Sequence, residues 1–178
     1  MEEVHGNTTL RWAIDLLNKR FEFEKEDLRF LVRDNPIIPV GREEIFLSGI
    51  YFGLKKEFYI ALHILSPQME KLFRNIAESV GGMMTKVKSD GTAEEKLLSE
   101  IFEEPELIDC YDNDILFLFK GLMNKKTGAN IRNEIAHGIM SQSVANGGKS
   151  IFFICATIKL ISYTSGECLR INDKRIKE

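Results

Sequence analysis

Apolar residues at Leu65, Met69, Leu72, Phe73, Ile76 and Val80 recur every three or four positions, the stripe of an amphipathic helix packed on a core. The two-residue alternation of a half-buried strand is almost absent elsewhere in the chain. The periodicity therefore predicts an all-α fold, a helical bundle with at most one small β-hairpin. At 178 residues the chain fits a single helical domain, 1–178, able to bury a real core without staples.

Breakers divide this pattern into elements. Asn7-Thr8-Thr9 can cap a first helix running through Leu17, and Glu24 to Asp34 reads as a second, ended by Pro36 and Pro39. From Gly41 a long helical stretch is expected to about Val80, bent or broken near Ser66 by Pro67. Gly81 to Thr92, with its Gly-Gly and Asp-Gly pairs, is the place for a loop or hairpin, and a short helix is expected from Ala93 to Glu103. Asp112-Asn113-Asp114 caps the next helix, another is expected from about Ala129 to Met140, and Gly147-Gly148 precedes a last one from Ser150 to about Ser162.

Composition narrows the function classes. Hydrophobic residues make up 44% of the chain and charged residues 29%, which is globular composition. A net charge of -3 excludes a binder that relies on a positive field over its whole surface, so a polyanion must meet a local basic patch. Cys110, Cys155 and Cys168 lack the close pairing of a metal knuckle or disulfide framework and read as reduced thiols. Met1 to His5 is acidic with no apolar run, and Ser150 to Tyr163 is too short for the ~20 residues of a membrane span, so the expected compartment is the cytoplasm, with no membrane partner. The acidic run Glu94, Glu95, Glu100, Glu103 and Glu104 reads as a solvated helix face.

One stretch carries chemistry. On a wheel at about 100° per residue, Ile131, Ile135 and Ile139 form an apolar stripe expected in the core, while Asn130, Asn133, Glu134, His137 and Ser141 lie opposite. His137 is thus expected to be accessible from a cleft. Asn133, one turn earlier, is spaced to hydrogen-bond its ring and select a tautomer. Lys125 and Lys126 precede the helix, Gly128 permits a tight turn, and Arg132 offers a planar fork of donors matched to phosphate oxygens.

Arg132-Asn133-Glu134-Ile135-Ala136-His137-Gly138 resembles the R-x4-6-H motif, in its R-N-x-x-A-H form, of the HEPN superfamily (higher eukaryotes and prokaryotes nucleotide-binding). The wider stretch from Gly128 to Gly138, with Pro67-Gln68-Met69-Glu70 and Arg74-Asn75 upstream, is similar to the C-terminal helical domain of ER-membrane-associated RNA degradation proteins and their bacterial relatives. The likeness spans residues 50–161, an HEPN-like core. It implies a helical domain that dimerises so that two motifs line one cleft, and in many members a metal-independent endoribonuclease without cofactor. Arg132 would hold the scissile phosphate, His137 would donate or accept a proton, and Asn133 would orient the histidine or the phosphate. Lys125, Lys126 and Asn130 would touch the RNA backbone. Glu70 is placed to pair with Arg132, although Glu70 and Arg74 at i,i+4 can satisfy each other. On a regular helix Arg132 and His137 stand about 140° apart, so the arginine must reach round or a second protomer must complete the site.

RNA brings its own nucleophile, the 2′-OH, so the reaction needs a positioned phosphate, proton transfer near neutral pH and a cation on the developing charge. The implied partners are RNA, a second copy of the chain and, for a toxin or phage-defence effector, a neutralising antitoxin or regulatory partner. Two other readings remain open: a non-catalytic HEPN-like module for nucleotide or RNA binding or dimerisation, and a helical protein-interaction domain in which Arg132 closes a salt bridge and His137 ends a helix beside Gly138. His63, on a helix rich in core residues, reads as structural or surface.

Overall fold

The computed structural model describes residues 6–110, 112–124 and 128–166; Lys125, Lys126, His5 and Cys168 lie outside the described residues, as does the side chain of Asn7. A π-turn, Gly6–Leu10, leads into α1 (Arg11–Arg20), and a 3-10 segment, Lys25–Leu31, follows. Two long helices, α2 (Glu43–Leu54) and α3 (Phe58–Ser79), pair as a hairpin. After them come β1 (Thr85–Val87), β2 (Ala93–Glu95), α4 (Leu98–Ile101), α5 (Pro105–Cys110), α6 (Asn113–Met123), α7 (Ile131–Ala136), α8 (Gln142–Ala145) and α9 (Gly148–Thr164). The fold is all-α with one small antiparallel hairpin.

The apolar stripe of α3 explains why it is central. Leu62, Leu65, Met69, Leu72 and Phe73 are wholly buried, and α2, α4, α5, α7, α8 and α9 all pack on this helix. Phe73 anchors an aromatic chain through the core: its ring centroid lies 4.8 Å from Phe102 and 5.2 Å from Phe119, which in turn lies 6.4 Å from Phe153 of α9. At the far end Asn35 closes the bundle by donating to the carbonyls of Leu31 at 2.8 Å and Ile161 at 2.9 Å. Asp112 caps α6 as expected, accepting from Asp114 N at 2.8 Å. Cys155 is a free, half-buried thiol whose pKa burial pushes up to about 11. No helix among the described residues is long and apolar enough to cross a membrane.

Three expectations need correction. Pro67 does not break α3, which is helical from Phe58–Ser79; Leu65, Ser66, Gln68 and Met69 are buried around it, and this packing outweighs the lost backbone hydrogen bond. The break in the 41–80 stretch falls instead at Lys55-Lys56-Glu57, where Lys56 takes a φ of 70° and its ammonium pairs with Asp15 at 2.6 Å. That turn carries neither Gly nor Pro, so no local signal marked it. Finally, Ala93–Glu95 is a strand rather than the start of a helix, with Lys86 opposite Glu94. Four residues of the acidic run are paired: Glu94 with Lys86 at 3.3 Å and Lys88 at 2.6 Å, Glu100 with Lys86 at 2.6 Å, Glu104 with Lys96 at 2.6 Å, and Glu103 with Lys120.

Candidate active site

The motif helix α7 is fixed at its start first by backbone contacts. Gly128 passes so close to α6 that a Cβ there would stand 2.1 Å from the Gly121 carbonyl oxygen, and the next residue, Ala129, donates its N–H to that oxygen at 3.2 Å. Asn130 then takes a left-handed conformation, φ 51° and ψ 27°, which asparagine tolerates better than most residues. Its carbonyl accepts from Asn133 N and Glu134 N, both at 3.1 Å, which opens the helix. Ile131, 1% exposed, nails that first turn into the core, a burial that contributes roughly 1.5–3 kcal/mol.

The helix is six residues long, shorter than the 129–140 span expected. Gly138, at φ 66°, supplies the left-handed residue that stops it: Gly138 N donates to Ile135 O at 3.1 Å and Ile139 N to Glu134 O at 2.8 Å. These two bonds make a Schellman ending. Once the chain turns there, the helical wheel no longer applies. Ile139 is 68% exposed instead of buried, Met140 is buried in its stead, and Ile135 is only partly buried against the core. His137 is the C-cap residue, exposed at the surface, with its backbone N–H on Asn133 O at 3.0 Å.

Arg132 is held in place. Its Nε donates to Glu70 Oε2 at 2.8 Å and its Nη2 to Glu70 Oε1 at 3.4 Å, while Nη1 donates to Asn133 Oδ1 at 2.9 Å. Arg74, one turn along α3, shares Glu70 Oε1 at 3.0 Å. Burial pushes the Glu70 carboxyl up, but the hydrogen bonds from Arg132 and then Arg74 outweigh it and hold the group below its ordinary value. The pairing of Glu70 with Arg132 thus exists beside the Glu70–Arg74 pair rather than in competition with it.

Of the five N–H donors on a guanidinium, three on Arg132 are spent, leaving one on each of Nη1 and Nη2. Two cations against one carboxylate give the cluster a net positive charge. Those two remaining donors, on a side chain one-third exposed, suit the bidentate grip of a phosphate.

Asn133 plays a different part from the one its spacing suggested. Its Oδ1 accepts from Arg132 and its Nδ2 donates to Asn130 Oδ1 at 2.7 Å, so the amide braces the arginine and not the His137 ring. Asn130, expected on the RNA backbone, has its Oδ1 occupied by Asn133 and acts as the far end of that brace. The i,i+3 spacing of the two asparagines was the available signal for it. Nothing in the sequence pointed to a hollow of about 340 Å³ lined by Glu134, Ser143, Lys149 and the glycines Gly147 and Gly148 at the start of α9. Lys125 and Lys126, the other expected phosphate contacts, lie outside the described residues. In comparisons with known proteins the chain matches no family model, no curated protein and no solved structure.

Proposed function

We propose that this chain is a metal-independent endoribonuclease of HEPN type. The observation that supports it best is the arginine: Arg132 is clamped by Glu70 and Asn133 with two donors left over, on a helix whose exposed end presents His137. The two donors left over are those a phosphate would take.

In this reading Arg132 binds the non-bridging oxygens of one phosphodiester and stabilises the charge that gathers there in the transition state. The 2′-oxygen attacks phosphorus as the bond to the 5′-oxygen breaks. An imidazole takes the 2′-OH proton, another proton goes to the departing 5′-oxygen, and His137 serves one of these transfers. A second copy of the chain, with its own His137, supplies the other and encloses a site that is open on one protomer. The products are a cyclic 2′,3′-phosphate and a free 5′-OH. RNA as substrate and a reduced Cys155 fit the cytoplasm, and a toxin or phage-defence role would call for a neutralising partner.

One observation favours the rival reading of a non-catalytic RNA-binding or dimerisation module. Among the described residues, no side chain hydrogen-bonds the His137 ring, whereas general bases are commonly oriented by such a partner. Cleavage of mixed RNA in EDTA separates the two. The endoribonuclease cuts, leaves cyclic phosphate ends, and loses both properties in His137→Ala. Cutting of RNA carrying 2′-O-methyl at the cleavage position, or cutting that requires added magnesium, rules the mechanism out and leaves RNA binding.

A further inference from the structure

Tyr59 and His63 lie one turn apart on α3, with ring centroids 4.2 Å apart and planes tilted by 38°. Tyr59 is 42% exposed. His63 Nδ1 lies 2.8 Å from the Tyr59 carbonyl oxygen. A carbonyl can only accept, so Nδ1 carries the hydrogen, and in the neutral ring Nε2 is left bare as an acceptor. The pair is therefore a fixed aromatic surface with one hydrogen-bonding edge.

Its placement links it to the site already described. At about 100° per residue, Tyr59, His63, Glu70 and Arg74 fall within roughly 60° of one another around α3. They form a single stripe that is open at Tyr59 and largely buried at Glu70 and Arg74, whose side chains are 19% and 17% exposed. At about 1.5 Å per residue, His63 stands roughly 10 Å and Tyr59 roughly 16 Å along the helix from Glu70, the residue that clamps Arg132.

We infer that the Tyr59–His63 pair is a stacking platform for a nucleobase of single-stranded RNA, seated on the same face of α3 as the phosphate site at Arg132. This rests on the reading of Arg132 as a phosphate ligand. A strand of RNA offers in alternation what the stripe asks for, a flat π-face and an anionic link, and a duplex hides the first of these. His63 Nε2 accepts from an exocyclic amino group or a 2′-OH at the edge of the stacked base. Binding here adds affinity that is insensitive to salt, which a protein of net charge -3 needs more than a basic one.

The test uses the full chain carrying His137→Ala, so that RNA is bound without being cut, and a fluorescein-labelled single-stranded oligoadenylate read by anisotropy over a salt series. Tyr59→Ala should weaken binding by about five- to a hundredfold, as loss of one base–aromatic stack does, with the slope of log K against log salt unchanged. Tyr59→Phe should keep the affinity, and Tyr59→Leu, which preserves apolar bulk without a π-face, should not. Arg132→Ala should weaken binding and flatten the slope by about 0.7, the signature of one lost phosphate contact. If Tyr59→Ala binds like its parent while Arg132→Ala is impaired, the platform is wrong and the phosphate site stands. A change of slope in Tyr59→Ala also overturns the platform. Should the parent fail to bind the oligoadenylate at all, both readings fall.

Discussion

Glu70 of α3 and Arg132 of α7, 62 positions apart in sequence, meet through a two-pronged contact in which Nε donates at 2.8 Å and Nη2 at 3.4 Å. The carboxylate, with the Asn133 amide on Nη1, thereby sets the direction of the guanidinium. Glu70→Ala should cost about 1–3 kcal/mol in a chemical melt, since two cations lose a charged partner that is partly buried. If Arg132 holds phosphate, RNA cleavage should fall by up to about a hundredfold, because a misaimed ligand near the reacting centre is that costly. Unchanged cleavage in Glu70→Ala would mean that the arginine does not need its clamp.

The same cluster predicts an acid response. The Glu70 carboxyl is held below its ordinary value of 4.5, so its contribution to stability is complete above about pH 4.5 and is lost as pH falls through the lower, folded value. Comparing Tm for the parent chain and Glu70→Gln across a pH series reads this directly. The difference between them should be widest near neutrality and narrow below pH 4.5; a constant gap would assign the effect to packing.

Two glycines in contact should respond oppositely to the same substitution. Gly128→Ala forces a Cβ to within 2.1 Å of a backbone oxygen and should destabilise by roughly 1–3 kcal/mol, worth about 2–4 °C of Tm for each kcal/mol. Gly121→Ala, inside α6 with nothing within 4 Å of the new Cβ, should stabilise by up to about 1 kcal/mol. Differential scanning calorimetry of the two variants gives the signs, and a stable Gly128→Ala would show that the 128–130 turn is not what seats α7.

On the cleavage reading a two-fold dimer is expected, because one short motif supplies too few groups to enclose a phosphate. Light scattering at micromolar concentration should give twice the mass of the 20.4 kDa chain. A monomer there would remove the composite site, and with it the second imidazole that the cleavage reading uses.

Much of the architecture was legible because it rests on long periodic segments. The stripe through Leu65, Met69, Leu72 and Ile76 gives α3, and the acidic cap at Asp112 gives α6. The Glu70–Arg132 contact was legible too, since the stripe carried a carboxylate beside a motif that needed one. What escaped was decided over distance or by a single backbone angle. Pro67 remains helical because of what packs around it, Lys56 turns the chain with no breaker residue, and Ile139 faces solvent because Gly138 ends the helix before the wheel reaches it. The hydrogen bond expected from Asn133 to the His137 ring is not made for a related reason: the spacing was right, but Asn130 and Arg132 reach the amide.

The Schellman ending at Gly138 divides the motif between two mechanical regimes. Arg132 rides on a turn nailed by Ile131 into the core, whereas His137 sits on the last residue before the chain swings away. Substitutions in the connection that follows, at the exposed Ile139, can therefore re-aim the imidazole without disturbing the arginine or the bundle beneath it. The two halves of the motif can be tuned separately, one through the core and the other through the length and stiffness of a surface turn.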